Sequence, residues 1–441
     1  MNKKKINLLY DASLLTYLFE KGSINRAGIF FTAYNVLKEF EKQKLFNITL
    51  LLSSRHEFLH KMKNDPYFSR FPYFIIYDKR RFTYRIKLIK FHKQNIIKTS
   101  NIFKKTICIL KIIKHCLYAL YYYINNNIYN NNKVIMKTNV FFSPIDSIHP
   151  EIIKQTHIQK YLLLYDTMPL LFPEYYPTLF STKDFINEYA QMRSLNKNDF
   201  YFCISECTRR DYLKYYRNQL DETKMTVTHI ASSQNFFPDY DKKKLITVLD
   251  KYKVNYKNND RFIFSLCTLE PRKNLVFTVK CFIKFIKKHK IDNLYFYLGG
   301  TKWNEFIHLL EEQINSLEKY KDKIVRLGYI DDEDVNIFYS NSMFFTYISQ
   351  YEGFGMPPLE AMQAGTPVIT SNNSSLPEVV GDAAIMIDYD SEEQCIKAFE
   401  NFYFNEELRN EYIAKGLERA KIFSWEKCTG RMIEIIEDNI K

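Results

Sequence analysis

Glycine is scarce in this chain, with eleven among 441 residues, while Tyr, Phe, Lys, Ile and Asn are heavily used, the bias of AT-rich codons. The eight cysteines (108, 116, 203, 207, 267, 281, 395 and 428) contain no Cys-x-x-Cys pair. That spacing argues against a zinc site or a disulfide framework and fits reduced thiols in a cytosolic protein. No apolar run reaches the roughly 18 uninterrupted residues that a membrane-spanning helix needs. The opening MNKKKINLLYDASLLTYLFEKG has a basic head and an apolar run, but Asp11 interrupts it and no small-residue cleavage site follows. Residues 6–10 therefore read as a first buried strand rather than a secretion signal.

Acidic residues are missing from one long segment. Between Lys79 and Ser143 stand fourteen Lys/Arg and no Asp or Glu, so the net charge of +13 resides there and the rest of the chain sits at −1. Within it, IFKKTICILKIIKHCLYALYYY (102–123) places Lys104, Lys111 and His115 on one helical face, with Lys105 and Lys114 to either side. Aliphatics and tyrosines fill the remainder. Three readings fit: an interfacial helix on an anionic membrane, a solvated helix packed on its own domain, or a nucleic-acid-binding segment. The Asn-rich INNNIYNNN (124–132) reads as a loop.

What is present is a globular composition, 46% hydrophobic and 26% charged, in a chain long enough for two domains. From Arg261 onward strand-like and helix-like segments alternate. RFIFSL, LYFYLGG, IVRLGY and MFFTYIS read as strands. NLVFTVKCFIKFIKKH, with apolar residues at 275, 276, 279, 282, 283 and 286, reads as a helix, as does DDEDVNIFYSNS behind acidic caps. Strands are also expected at 6–10, 47–52, 73–77, 139–143, 161–165, 200–204 and 226–230. Such alternation implies parallel, doubly wound sheets, with the polar segment 238–260 between the halves.

Three of the eleven glycines fall in YEGFGMPPLEAMQAGTPVIT (351–370). The stretch follows a strand, so it lies at the carboxyl edge where doubly wound sheets bind ligands. Gly353 and Gly355 let the backbone approach a ligand, and Pro357 and Pro358 suit a helix start. A helix N-terminus attracts phosphate. Gly365 ends the helix as a left-handed residue. Carboxylates repel phosphate, so Glu352 on the loop and Glu360, expected in the first helical turn, suit neutral hydroxyls, one of a sugar and one of a ribose diol. Diol, diphosphate and sugar together make a nucleotide sugar.

The longer run EGFGMPPLEAMQAGTPVITSNNSSLPEVVGDAA resembles the signature region of glycosyltransferase family 4, retaining enzymes of GT-B fold. The likeness continues through LEPRKN (269–274), LGG (298–300), LGYIDDEDV (327–335) and FSW (423–425). In the first half it rests on NRAGI (25–29), YDTMPLLFPEYYP (165–177) and CISECTRRD (203–211). The resemblance implies an α/β protein of two Rossmann-like doubly wound domains facing a central cleft. Residues 1–240 would bind the acceptor and carry the basic insertion at about 79–137. Residues 241–441 would bind the nucleotide sugar, with the last helix packing back on the first domain.

It implies that Glu352 sits by the transferred sugar, Glu360 holds the ribose, and Arg272 and Lys273 neutralise the leaving diphosphate. Gly353, Phe354, Gly355 and Met356 would offer backbone N–H groups, with Leu359, Gly300 and Gly28 also in the substrate site. Gly28 belongs to a glycine loop, Gly22 to Gly28, that approaches donor phosphate and acceptor. Many relatives have Gly where Cys267 stands. Asp166 occupies an acidic position often preceded by His, here by Tyr165, and either orients an acceptor hydroxyl or caps structure. Asp239-Tyr-Asp241 and Asp388-Tyr-Asp390 imitate a metal-binding DxD motif, but such spacings arise by chance. The resemblance implies no metal and no cofactor beyond the donor substrate.

The expected activity is transfer of a hexose; YDTMPLLFPEYYP resembles the corresponding stretch of bacterial mannosyl- and rhamnosyltransferases of surface polysaccharides, which implies GDP-mannose as donor, with a UDP-sugar as alternative. The acceptor would be a glycan or a lipid-linked glycan of bacterial surface polysaccharide, O-antigen or capsule. The enzyme would be cytoplasmic, peripheral on the inner face of the membrane through 79–137, with no nucleic-acid partner. A sugar-nucleotide epimerase of the same fold and a basic nucleic-acid-binding protein are the rival readings.

Overall fold

A computed structural model describes residues 5–19, 28–52, 56–75, 105–117, 132–145, 147–175, 193–257, 259–300 and 307–440, with isolated positions at 89–90, 92–94, 96 and 189. Gly22 to Ala27, most of 76–104, Lys104 included, and the greater part of the Asn-rich segment lie outside the described residues.

Of the thirteen strands among the described residues, eleven fall close to where hydrophobic patterning puts them, and the two at 368–371 and 384–387 add to these. The first sheet comprises β1 (Ile6–Asp11), β2 (Phe46–Leu52), β3 (Tyr73–Ile75), β4 (Val140–Ser143), β5 (Gln159–Leu164), β6 (Phe200–Cys203) and β7 (Met225–Val227). Its order is β3-β2-β1-β4-β5-β6-β7. The second comprises β8 (Arg261–Leu266), β9 (Leu294–Gly299), β10 (Ile324–Gly328), β11 (Phe345–Tyr347), β12 (Val368–Ser371) and β13 (Ala384–Ile387), in the order β10-β9-β8-β11-β12-β13. The registered pairs are parallel, for example β1 with β2, β8 with β9 and β11 with β12. Both sheets are of the Rossmann kind, each reversing direction beside its first strand, at β1/β4 and at β8/β11.

The fully buried faces explain the apolar runs. In the second sheet Phe262 stacks on Tyr297 with ring centroids 4.4 Å apart, and Phe264 on Phe338 at 5.5 Å. The helix Leu275–His289 buries Leu275, Val279, Phe282, Ile283 and Ile286 as its spacing predicts. Val276 departs from that face and is exposed. The helix Val335–Asn341 is not opened by an acidic side-chain cap: Asp334 turns its carboxylate to Lys251 and Tyr252 instead.

The polar segment 238–260 falls between the last strand of one sheet and the first of the next. By compactness the chain divides elsewhere, into residues 1–163 with 440–441 and residues 164–439. Bonds from residues 205–237 to the second half accord with this division, among them Glu206 N to Glu378 Oε2 at 2.9 Å. Trp425 Nε1, from the last helix Trp425–Asn439, donates to Ser232 O at 3.2 Å, Gln363 Nε2 donates to Ser233 O at 2.8 Å, and Phe237 N donates to Asn336 Oδ1 at 3.0 Å.

In the first unit, residues 105–117 form a helix, and none of the described helices is long and apolar enough to cross a membrane. His115 does not share an outward face with Lys111: it is buried, with its ring stacked on that of His92 at 5.7 Å. Its exposed surface includes the aliphatics Ile109, Leu110, Ile113 and Leu117 as well as Lys111 and Lys114. The eight cysteines are free thiols, six of them buried.

Gly300 shows how the few glycines are placed. Its φ is +129°, and a Cβ there would overlap the carbonyl oxygen of Cys267. Gly328, at φ +71°, has nothing within 4 Å of a Cβ. Gly300→Ala should therefore cost about 3 kcal/mol or more of stability, against roughly 1 kcal/mol for Gly328→Ala, which meets only the backbone strain. Denaturant unfolding of the two variants checks this, and equal losses would contradict it.

Candidate active site

The second sheet reverses direction between β8 and β11, so the chain leaving both strands at their carboxyl ends meets at one place. After β8, Pro271–Lys273 forms a single 3-10 turn, and left-handed Asn274 (φ +57°) starts the next helix. After β11, residues 348–355 run back over this turn. Gln350 N donates to Arg272 O at 2.8 Å and Ser349 Oγ lies 3.1 Å from the same oxygen, locking the two loops together.

That lock brings opposite charges into contact. Glu352 Oε1 accepts from Lys273 Nζ at 2.7 Å and from Arg272 Nη1 at 2.9 Å. Arg272 Nη1 also donates to Tyr351 O at 2.9 Å, and its Nη2 lies 2.6 Å from Glu270 Oε1. Lys273 Nζ donates to Tyr347 Oη at 2.6 Å. Glu270, Lys273 and Glu352 are all buried. Burial alone would raise the Glu352 carboxyl, but Arg272 and Lys273 outweigh it and hold the group at about 2. Burial pushes Glu270 and Cys267 upward, Cys267 to about 12. The Nε of Arg272 is buried and has no hydrogen-bond partner among the described residues.

Asp166 stands beside the loop. A Cβ on Gly353 would lie 2.7 Å from the Asp166 Cβ, so Gly353 is glycine because the acid packs against it. Asp166 Oδ1 accepts from Met168 N at 3.2 Å, a local cap, while burial raises the carboxyl above its ordinary value against the pull of Arg272. The capping and the proximity to Glu352 thus coexist.

The helix Met356–Gln363 begins at left-handed Gly355 (φ +112°), with Pro357 and Pro358 in its first turn. No hydrogen bond from the backbone N–H of Gly353, Phe354, Gly355 or Met356 is present among the described residues. The first N–H used in the helix is that of Leu359, to Gly355 O at 3.3 Å. Phe354 and Leu359 bury their side chains, Phe354 packing edge-on against Phe423 at 5.7 Å. Gly365 (φ +75°) closes the helix, with Thr366 N donating to Ala361 O at 2.9 Å as a left-handed C-cap.

Glu360 is in the second turn of this helix, not the first, because the helix starts two residues before Pro358. Its Oε2 accepts from Tyr339 Oη at 2.9 Å. Burial lifts its carboxyl to about 7, against that hydrogen bond and with help from Asp332. Gly300, beyond β9, packs on Cys267 as described, and its N–H donates to Gly328 O at 2.8 Å. Gly28 is the left-handed (φ +66°) residue before the helix Ile29–Lys42, in the other unit.

The DxD look-alikes are structural. Asp241 caps the helix Lys242–Lys251, Asp239 Oδ2 accepts from Lys244 Nζ at 2.7 Å, and Asp388 Oδ2 accepts from Gln394 Nε2 at 2.9 Å. Asp331, Glu333 and Asp334 converge, but Lys251 is within ion-pair distance of all three. Two members of the charged cluster escaped the sequence reading. Glu270 carried a signal, its place in LEPRKN, whereas nothing in MFFTYIS marks Tyr347 as a partner for Lys273.

Residues 249–419 match the family model of glycosyl transferases group 1. The O-antigen chain mannosyltransferase B of Escherichia coli is 30% identical over 59% of this chain and 65% of its own length. The serotype-specific mannosyltransferase WbdA of the same species is 26% identical over 61% of this chain and 32% of its own length. The chain thus spans from about a third to just under two thirds of these relatives. Anabaena Alr3699/HepE, solved with UDP and glucose, superposes over 98% of this chain and 100% of its own with a TM-score of 0.62 at 10% identity, a likeness of fold, the GT-B fold that the sequence leads one to expect.

The raised Glu360 carboxyl has a measurable consequence. Below its ordinary value near 4.5 the group is protonated in both folded and unfolded chains. From there to about 7 the unfolded chain ionises while the fold holds the proton, so stability falls as pH rises through that window and then levels. Glu360→Gln cannot ionise, so its melting temperature should gain on that of the unmodified protein between those limits. A constant difference across the window would contradict the assignment.

Proposed function

We propose, from the match of residues 249–419 to the family model of glycosyl transferases group 1, that the chain is a retaining glycosyltransferase. It moves mannose from a nucleoside-diphosphate donor, GDP-mannose, to a glycan or lipid-linked acceptor in O-antigen synthesis. The observation that carries the donor reading is the convergence of Arg272 and Lys273 on one oxygen of Glu352, beside a loop with open N–H groups. Such fixed cations and dipoles are what a departing diphosphate needs. Mannose and the O-antigen setting rest on the names of the relatives. Those names are of transferases, which favours transfer over acceptor-independent epimerisation.

In this reading the C1–O bond to the donor phosphate breaks while the acceptor oxygen bonds to C1 from the same face. The acceptor proton passes to the departing phosphate oxygen. Arg272 and Lys273 take up the charge, Glu352 holds both cations and meets the sugar, and Glu360 accepts from the ribose diol. Asp166 orients the acceptor hydroxyl, and Gly300 borders the donor. The charge needed for departure comes from side chains, without a resident metal or cofactor.

The membrane enters through the basic segment. On the helix at 105–117 the exposed apolar surface made by Ile109, Leu110, Ile113 and Leu117 is flanked by Lys105 on one side and Lys114 on the other. An apolar face bordered by lysines suits shallow insertion at an anionic bilayer, where each lysine contributes about 1 kcal/mol. A peripheral enzyme on the inner face of the cytoplasmic membrane would there meet a lipid-linked acceptor and a soluble donor together.

GDP should raise the melting temperature more than UDP, TDP or ADP, and Glu352→Ala and Lys273→Ala should each reduce mannosyl transfer about a hundredfold or more. Removing one partner of a buried ion pair also destabilises, so folding of each variant is checked by circular dichroism. Wild-type turnover in folded Glu352→Ala, or no response to any of the four nucleotides, would refute the reading. Separately, the protein should float with anionic vesicles and not with neutral ones, and salt should release it. Glutamine at 105, 111 and 114 should weaken flotation about tenfold or more. Equal recovery with both vesicle types would exclude electrostatic docking.

A further inference from the structure

Three successive carbonyls of the loop lie against two buried hydroxyls, with the single Ser375 proton shared between the outer two. Ser375 Oγ lies 2.8 Å from Glu352 O and 2.6 Å from Phe354 O, and Ser205 Oγ lies 2.6 Å from Gly353 O. Thr208 Oγ1 approaches Gly353 O as well, at 3.3 Å. All three hydroxyl residues are fully buried. Ser205 and Thr208 come from CISECTRRD, the one segment of the first-half resemblance to which no role has yet been attached. Ser205 also caps the helix Glu206–Tyr216 by accepting from Thr208 N at 2.9 Å, which leaves its proton for Gly353 O at 2.6 Å or Thr208 Oγ1 at 3.0 Å, the former the shorter contact.

In a trans peptide the carbonyl and the following N–H point to opposite sides of one rigid plane. Holding the oxygens of Glu352, Gly353 and Phe354 therefore fixes the directions of the N–H groups of Gly353, Phe354 and Gly355. Those N–H groups donate to no described residue, while every carbonyl in the same three planes is occupied. The N-terminus of the helix Glu206–Tyr216 is not itself open to an anion. Glu378 fills it, accepting from Glu206 N at 2.9 Å and Cys207 N at 3.2 Å. The helix thus serves the loop through its hydroxyls rather than through its dipole.

We propose that Ser205, Thr208 and Ser375 are positioning residues that clamp the carbonyls of 352–354 so that the N–H groups of 353–355 face the phosphate and sugar oxygens of the donor. The inference rests on the donor reading above and deepens it, since it names which residues hold the loop in its binding geometry. Without the clamp the peptide planes rotate, and the N–H groups lose their fixed directions before any ligand arrives. The expected cost falls on donor affinity first and on turnover second, because the cations remain in place.

Calorimetric titration of the full-length protein with GDP, UDP, TDP and ADP, together with KM and kcat for the donor, tests this. Ser205→Ala/Thr208→Val should weaken the nucleotide that the unmodified protein binds best by about tenfold or more, the worth of one well-placed buried hydrogen bond. KM should rise by a larger factor than kcat falls. Ser375→Ala should act in the same direction. Thr208→Val alone keeps the helix cap and the side-chain shape, so it reports should the double variant not fold, and Thr208→Ser should retain affinity. Ser391→Ala removes a different helix cap, at Gln394 N, and should leave affinity unchanged while lowering thermal stability. Unchanged nucleotide affinity in the folded clamp variants, or an equal loss in Ser391→Ala, overturns the clamp. No binding of any nucleotide by the unmodified protein overturns the donor reading and the clamp together.

Discussion

One carboxylate oxygen, Glu352 Oε1, takes both Arg272 Nη1 and Lys273 Nζ, and the arrangement of the surrounding loops depends on that shared contact. Burying any one of these charges alone would be prohibitive, and each is tolerable only because the others are there. Glu270 on the far side of Arg272 and Tyr347 beneath Lys273 complete the partners. With Asp166 alongside, three carboxyls surround two cations. The raised carboxyls of Asp166 and Glu270, and the depressed one of Glu352, are the electrostatic record of which acid the cations favour.

The cluster exists because of topology. A strand order that reverses between β8 and β11 leaves their carboxyl ends side by side with no crossover helix between them. The short turn 271–273 and the loop 348–355 can then share hydrogen bonds. The scarce glycines follow the same constraint. Gly300 is required by the Cys267 carbonyl, Gly353 by Asp166, and Gly365 by the left-handed end of the helix that Gly355 begins. In a chain that uses glycine so sparingly, these positions mark where backbone or side chain has no room to yield.

Most strands of both sheets were legible from apolar runs, since a doubly covered parallel strand is apolar throughout, whereas β13 (Ala384–Ile387) is short and half-exposed and was not legible as one. The loop 351–355 and the cations 272–273 were legible because glycine, proline and charge cluster there. Other features were not, for a shared physical reason: they depend on partners far away in sequence. Helical spacing assigns Val276 to an inner face, but only the packing of neighbours shows that it is exposed. An acid before a helix reads as a cap, yet Asp334 finds stronger partners in Lys251 and Tyr252, more than eighty residues upstream. His115 shares a helical face with Lys111 on a wheel, and the ring of His92 takes it inward. Serine at 205 looks like an ordinary helix cap, and its proton's destination at Gly353 cannot be read from local sequence.

The pairing of the cations before any ligand arrives has a mechanistic meaning. Arg272 and Lys273 would be disordered or repelled from one another if they waited alone in a buried pocket, so Glu352 and Glu270 serve as counter-charges that keep them in place. In the proposed donor reading, an incoming diphosphate would not meet bare cations. It would share them with the resident carboxylates, which would weaken ground-state attraction while leaving the cations correctly aimed. As charge built on the leaving phosphate, its claim on the same N–H donors would grow relative to that of the fixed carboxylates. A site built in this way would favour the transition state over the bound ground state, which is the condition for accelerating the step rather than merely holding the donor. The orphaned Nε of Arg272, buried with no acceptor among the described residues, is consistent with a guanidinium whose hydrogen-bonding set is completed only when something further binds.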